Sequence, residues 1–171
     1  MKYILFTVCF MTMFACNNAE KNLIKNIGQL EANNSLATSD TLINSYIRFA
    51  KEYPNHPNAI KYLFKAAEAN VKAKRQGEGA RIYEQIANTY KDSTTYVSEC
   101  LIRAGYNYMV MQDPANEKRV FEQFLKQFPN HPQALEISRS LSLVGLSPEQ
   151  QDSAMISWIK EKNPDLEINL N

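Results

Sequence analysis

The sequence predicts an all-α chain folded as a solenoid of helical hairpins, with about three repeats between capping helices at either end. Three observations carry that expectation. Only 5 of 171 residues are glycine and 44% are apolar, and few β-branched runs interrupt them, a composition that leans toward helix. A pattern of aromatic, apolar pair and aromatic recurs three times. The stretch PNHP occurs twice, at Pro54 to Pro57 and Pro129 to Pro132, each time closing one apolar stripe and preceding another.

Residues 1–15 stand apart from that pattern. Met1-Lys2 gives a basic start, Tyr3 to Phe14 is a run of 12 residues without a charge, and Ala15 precedes Cys16. These are the marks of a signal peptide. Twelve residues rise only about 18 Å as a helix, short of the roughly 30 Å of a bilayer core. Ala15-Cys16 before the polar Asn17-Asn18 resembles a bacterial lipobox, with Met13 and Phe14 where aliphatic and small residues are usual. That resemblance implies cleavage before Cys16 and a lipid on its thiol. An ordinary signal peptide with an incidental cysteine is the alternative. Residues 16–39 would then hold the lipidated N-terminus, a short helix over Lys21 to Ala32 with Leu23, Ile24, Ile27 and Leu30 on one side, and a polar loop over Asn33 to Ser39.

The repeats are expected over residues 40–145. YIRFAKEYPN (Tyr46 to Asn55), YEQIANTYKD (Tyr83 to Asp92) and FEQFLKQFPN (Phe121 to Asn130) are offset by 37 and 38 residues. In each copy the apolar positions fall at i, i+3, i+4 and i+7, one face of a helix. The segments that follow the turns are helical by the same test. Ile60, Leu63, Phe64, Ala67 and Val71 form one stripe, Val97, Cys100, Leu101, Ala104 and Tyr108 a second, and Leu135 to Val144 a weaker third. Ala67, Ala104 and Ser142 hold one equivalent position, where a small side chain lets neighbouring helices approach. Residues 146–171 read as a capping helix and tail. Ser147-Pro148 supplies an N-cap and a first-turn proline, Met155, Trp158 and Ile159 share a side, and Asn163-Pro164 ends the helix. The tail from Asp165 to Asn171 is expected to be extended or frayed.

Two antiparallel helices per unit, a small residue midway in the first, aromatics in the second and a proline at its end resemble the tetratricopeptide repeat (TPR), whose usual period is 34 residues. The units here run three or four residues longer. That longer form is similar to the repeats of bacterial envelope lipoproteins, such as the TPR lipoprotein of the barrel-assembly machinery and the periplasmic cell-division coordinator. The resemblance covers about Asp40 to Gly145 and implies a right-handed solenoid. It also implies that the first helices of each pair line a groove for a peptide. On this chain the groove residues would be Lys61, Phe64, Glu68, Leu101, Gly105 and Tyr108. Phe64 and Leu101 fit the core equally well.

The remaining chemistry is sparse. His56 and His131 are the two histidines. In a helical stack they begin equivalent helices two repeats apart, roughly 16–20 Å from each other, twice the usual packing distance. A shared metal needs both nitrogens about 2 Å from one ion. The middle repeat has Lys91-Asp92-Ser93-Thr94 at the same place, with helix-capping chemistry and no histidine. The histidines therefore read as turn residues. With Cys9 in the signal and Cys16 acylated, Cys100 has no partner and reads as a small buried hydrophobe. The sequence holds no G-x-S-x-G, H-E-x-x-H, P-loop or Cys-x-x-Cys. No catalytic residue, metal site or cofactor is expected. Lys72-Ala73-Lys74-Arg75 ends a helix, where cations suit the dipole. Without residues 1–15 the chain carries 18 basic and 18 acidic residues. That balance argues against a nucleic-acid partner.

The expectation is a non-catalytic scaffold or adaptor, tethered by a lipid to the outer membrane, facing the periplasm and binding a protein or peptide partner in the envelope. One alternative is a subunit of an outer-membrane protein assembly machine. The other is a small-ligand binder or enzyme with an unrecognised pocket.

Overall fold

The computed structural model describes residues 18–163. The expected signal segment, Cys16 and the tail after Asn163 lie outside the described residues. α1 covers residues 18–31. A 3-10 turn at Asn34–Leu36 interrupts the expected loop, and α2 (Asp40–Glu52), α3 (Ala59–Lys72), α4 (Gln76–Thr89), α5 (Thr94–Val110), α6 (Pro114–Gln127), α7 (Ala134–Leu143) and α8 (Pro148–Lys162) follow. There is no strand among the described residues.

Local sequence fixes the helix starts. Ser39 accepts the Leu42 N–H ahead of α2, and Asp113 accepts the Asn116 N–H ahead of α6, where Pro114 opens the first turn. Ser147 and Gln150 form a reciprocal capping box at α8. Each such cap satisfies amide groups that the first helical turn leaves unpaired. Ser93 stands at the N-cap of α5, but its side chain makes no capping bond. The sharp turns inside the hairpins share one device. Lys74, Gln112 and Gly145 have φ of 64°, 55° and 83°. Arg75 N–H reaches Asn70 O at 2.9 Å, and Asp113 N–H reaches Tyr108 O at 3.0 Å. A left-handed residue there closes the preceding helix and reverses the chain.

Two apolar clusters meet at α3. The first gathers Leu23 and Ile27 from α1, Leu42, Tyr46 and Phe49 from α2, and Tyr62 and Ala66 from α3. The second gathers Leu63 and Ala67 from α3 with Tyr83, Leu101, Phe121, Phe124 and Ile137 from α4 to α7. Of the stripe expected on α3, Leu63 and Ala67 are fully buried and Ile60, Phe64 and Val71 are half-buried. Tyr62, Ala66, Ala69 and Asn70 are buried as well, because an interior helix of a stack is covered by the units on both sides. The small residues act as expected at the first two positions, where Ala67 and Ala104 have no exposed surface. Ser142 is exposed. Packing is dense from α2 to α6 and thins at α7. α7 buries only Ala134 and Ile137, and α8 buries no residue. α8 therefore rests on the stack as an ajar cover rather than a closed cap.

Candidate functional site

The two PNHP stretches do the same work. His56 Nδ1 accepts the Asn58 N–H at 3.0 Å, and His131 Nδ1 accepts the Gln133 N–H at 3.2 Å. Each ring stands edge-on to the phenylalanine of the preceding helix, Phe49 at 5.0 Å and Phe124 at 5.2 Å. The imidazole nitrogen thus stands in for a missing side-chain cap on α3 and α7. Nε2 of His56 also lies 3.5 Å from Glu20 of α1. Among the described residues no group of three or more His, Cys, Asp or Glu could hold a metal ion.

The residues expected to line a groove divide into two sets. Lys61 and Glu68 are exposed on α3, with Phe64 half-buried between them. Phe64 meets the rings of Tyr83 and Tyr96 edge-on at 5.3 and 6.0 Å. Arg103 of α5, which no local pattern singles out, joins this set. Its guanidinium lies 5.1 Å from the Phe64 ring, bonds Glu99 at 2.6 Å and reaches Glu68 at 3.7 Å. Leu101, Gly105 and Tyr108 lie elsewhere. All three are buried. Leu101 is in the core, Gly105 abuts the ring of Phe121, and Tyr108 donates its hydroxyl to Glu84 at 2.7 Å. They do not line an open surface, because α4 and α6 cover that side of α5.

Polar clips join consecutive helices beside the cores. Glu84 on α4 accepts from Tyr108 and takes both nitrogens of Arg119 at 2.6 and 2.9 Å. Burial pushes the Glu84 carboxyl up, but Arg119 and Tyr108 outweigh it and hold the group below its ordinary value. Glu31 repeats the arrangement with Tyr46 at 2.8 Å and Lys65 at 2.5 Å, and it too ends below its ordinary value. Burial pushes the Cys100 thiol up to about 12. It is protonated at neutral pH and a poor nucleophile.

Two clefts open where the packing thins. The larger, about 630 Å³, runs between α7 and α8 and is lined by Leu135, Leu143, Met155, Trp158 and Ile159. Arg139 lies 5.5 Å from the Trp158 ring, and Glu136 and Lys162 stand at the rim. Leu135, expected on the apolar stripe of α7, is 62% exposed there. The smaller cleft, about 380 Å³, lies between the α5–α6 turn and the end of α7. Neither cleft follows from the apolar periodicity of the sequence. Met155, Trp158 and Ile159 were the available signal, read as a capping face rather than one wall of a cleft.

Residues 99–131 match the family described as tetratricopeptide repeat. The match runs from the second turn of α5 through α6 into the second histidine turn. Together with the repeated helix pairs it supports a TPR protein, and the all-α solenoid expected from the sequence is the fold observed. No curated protein and no solved structure gives a significant match. TPR units generally mediate the binding of protein partners. No helix of the described residues is long and apolar enough to cross a membrane.

Proposed function

We propose that the protein is a non-catalytic TPR adaptor of the bacterial envelope, anchored through a lipid on Cys16 and holding a peptide segment of a partner protein. The observation that carries the binding role is the apolar cleft between α7 and α8. Leu135, Met155 and Ile159 are large apolar side chains left accessible together at the end of a solenoid. A contiguous apolar patch with a polar rim marks an interaction surface. Trp158 supplies an aromatic anchor of the kind that dominates binding energy. The cleft is open at its sides and suits an amphipathic segment laid along it. The envelope setting is supported by the basic start, apolar run and Ala15-Cys16 of the sequence.

One preparation tests both parts. Envelopes from cells carrying the full chain, crosslinked and purified on it, should yield a defined partner. The Trp158→Ala variant should lose most of that yield while remaining anchored. The same material, read by mass spectrometry, should begin at an acylated Cys16. Equal recovery with Trp158→Ala overturns the role of the cleft, and an unmodified Cys16 overturns the anchor. If depletion instead lowers several barrel proteins together, the partner is an outer-membrane assembly machine.

A further inference from the structure

The smaller cleft contains a carboxylate out of keeping with its position. The repeat offset that aligns Tyr83 with Phe121 aligns Gly79 with Glu117, and the one that aligns Tyr46 with Tyr83 aligns Leu42 with Gly79. In the first two units this is a core position. Leu42 is buried among apolar side chains, and a Cβ on Gly79 would meet Val71 Cγ2 at 2.5 Å and Ala67 O at 3.1 Å. In the third unit the site carries Glu117, 7% exposed, with no hydrogen-bond or ion-pair partner among the described residues. Its carboxyl lies above the ordinary value, and burial is the cause. No cation among the described residues pairs with it, and only its place in the first turn of α6 favours the negative charge.

Glu117 lines the cleft of about 380 Å³ with Met109, Gln112, Ser140, Leu143 and Gln151. Its carboxylate oxygens are not sealed from solvent, since the one enclosed side-chain atom without a partner among the described residues is Arg75 Nε. They face the water of the cleft, where a carboxylate with restricted hydration and no protein partner is less favourable than one in bulk water. A group bringing the opposite charge would relieve that penalty. The lining describes such a group. The Glu117 carboxylate, the amide oxygens of Gln112 and Gln151 and the Ser140 hydroxyl are acceptors, and an ammonium carries three donors and no acceptor. Met109 and Leu143 offer apolar surface to an aliphatic stem. A divalent metal ion fits less well, since hard cations take several charged or carbonyl oxygens and, among the described residues, Glu117 is the one carboxylate lining the cleft.

We propose that this cleft is a binding site for a primary ammonium on an aliphatic chain, the lysine side chain of a partner, with Glu117 as its counter-ion. It rests on the adaptor reading only for the identity of the ligand's bearer. The charge preference of the cleft stands without it.

The probe is n-butylammonium, with 1-butanol at matched salt as its uncharged counterpart, titrated into the isotopically labelled chain and followed by amide NMR. Butylammonium should give saturable shifts at Glu117, Gly145 and Gln151, and butanol should not. Glu117→Gln, which keeps the shape and removes the charge, should weaken the binding about tenfold or more, a loss of about 1.4 kcal/mol. Equal shifts from butanol, equal binding by Glu117→Gln, or no shift in the cleft each overturn the proposal. The butylammonium–butanol comparison decides it in the unsubstituted chain should the variant fail to fold. Binding here without any partner captured from envelopes would sink the adaptor reading alone, and a captured partner without butylammonium binding would sink this one alone.

Discussion

At the scale of single residues, Gly105 shows why periodicity alone mislocates function. It sits on a helix face that the repeat pattern marks as recurrent, and recurrence does not distinguish a groove wall from a contact with the next helix. A Cβ there would meet the Phe121 ring at 2.2, 2.5 and 2.6 Å. Phe121 is fully buried and stacked edge-on against Tyr106 at 5.4 Å, so the ring has nowhere cheap to go. Replacing a glycine within a helix by alanine ordinarily gains up to about 1 kcal/mol. Gly28 is the reference case, a helical glycine whose added Cβ would meet nothing within 4 Å. Gly28→Ala should raise the denaturation midpoint. Gly105→Ala should lower stability by about 1–2 kcal/mol, because overpacking a dense core costs more than the helix propensity returns. Adding Phe121→Leu should recover part of that loss, a non-additivity read in urea titrations. Additive effects would mean that Gly105 and Phe121 are not in contact.

At the scale of elements, the helices and their ends were legible because the signals are local. Apolar spacing, the prolines of the PNHP turns and Ser147-Pro148 all act within one or two turns, as do the caps at Ser39 and Asp113 that the structure adds. The turn role of the histidines was legible too, through the unit that lacks one. The clips at Glu31 and Glu84 were not, since Glu84 is 24 and 35 residues from its partners Tyr108 and Arg119. The Glu84 clip has a pH signature. Its carboxyl lies below the ordinary 4.5, so the folded chain binds its proton less readily than the unfolded chain does. The clip's contribution is complete above that ordinary value and is lost as pH falls through the folded one. With Arg119 half exposed, the contribution is about 1 kcal/mol. Glu84→Gln should therefore unfold more easily than the unsubstituted chain at pH 7, and the difference should shrink as the pH is lowered below 4.5. A difference that stayed constant down to pH 3 would mean that the carboxylate charge plays no part.

At the scale of the whole molecule, what the sequence hid is how far the last hairpin stands open. The stripe on α7 and the apolar side of α8 are real, but each needs an opposing surface. Ser138 and Ser142, one turn apart and both exposed, dilute one face of α7 while Leu135 and Met155 look into the space between the helices. Stability in such a stack is close to a sum of unit and interface terms, and a unit with a weak interface opens on its own. α3 and α5 are covered from both sides, whereas α8 buries no residue. Hydrogen exchange should therefore be graded along the chain. Amides of α4 and α5 should exchange only through global unfolding. Those of α8 should exchange through a local opening several kcal/mol less costly, against a typical global stability of about 5–15 kcal/mol. A partner seated between α7 and α8 should slow exchange in α8 first, because binding stabilises the closed form by mass action. If α8 amides instead exchange with the same free energy as those of α4, the chain unfolds as one cooperative body. The cleft would then be a fixed feature rather than the loosest joint of the stack.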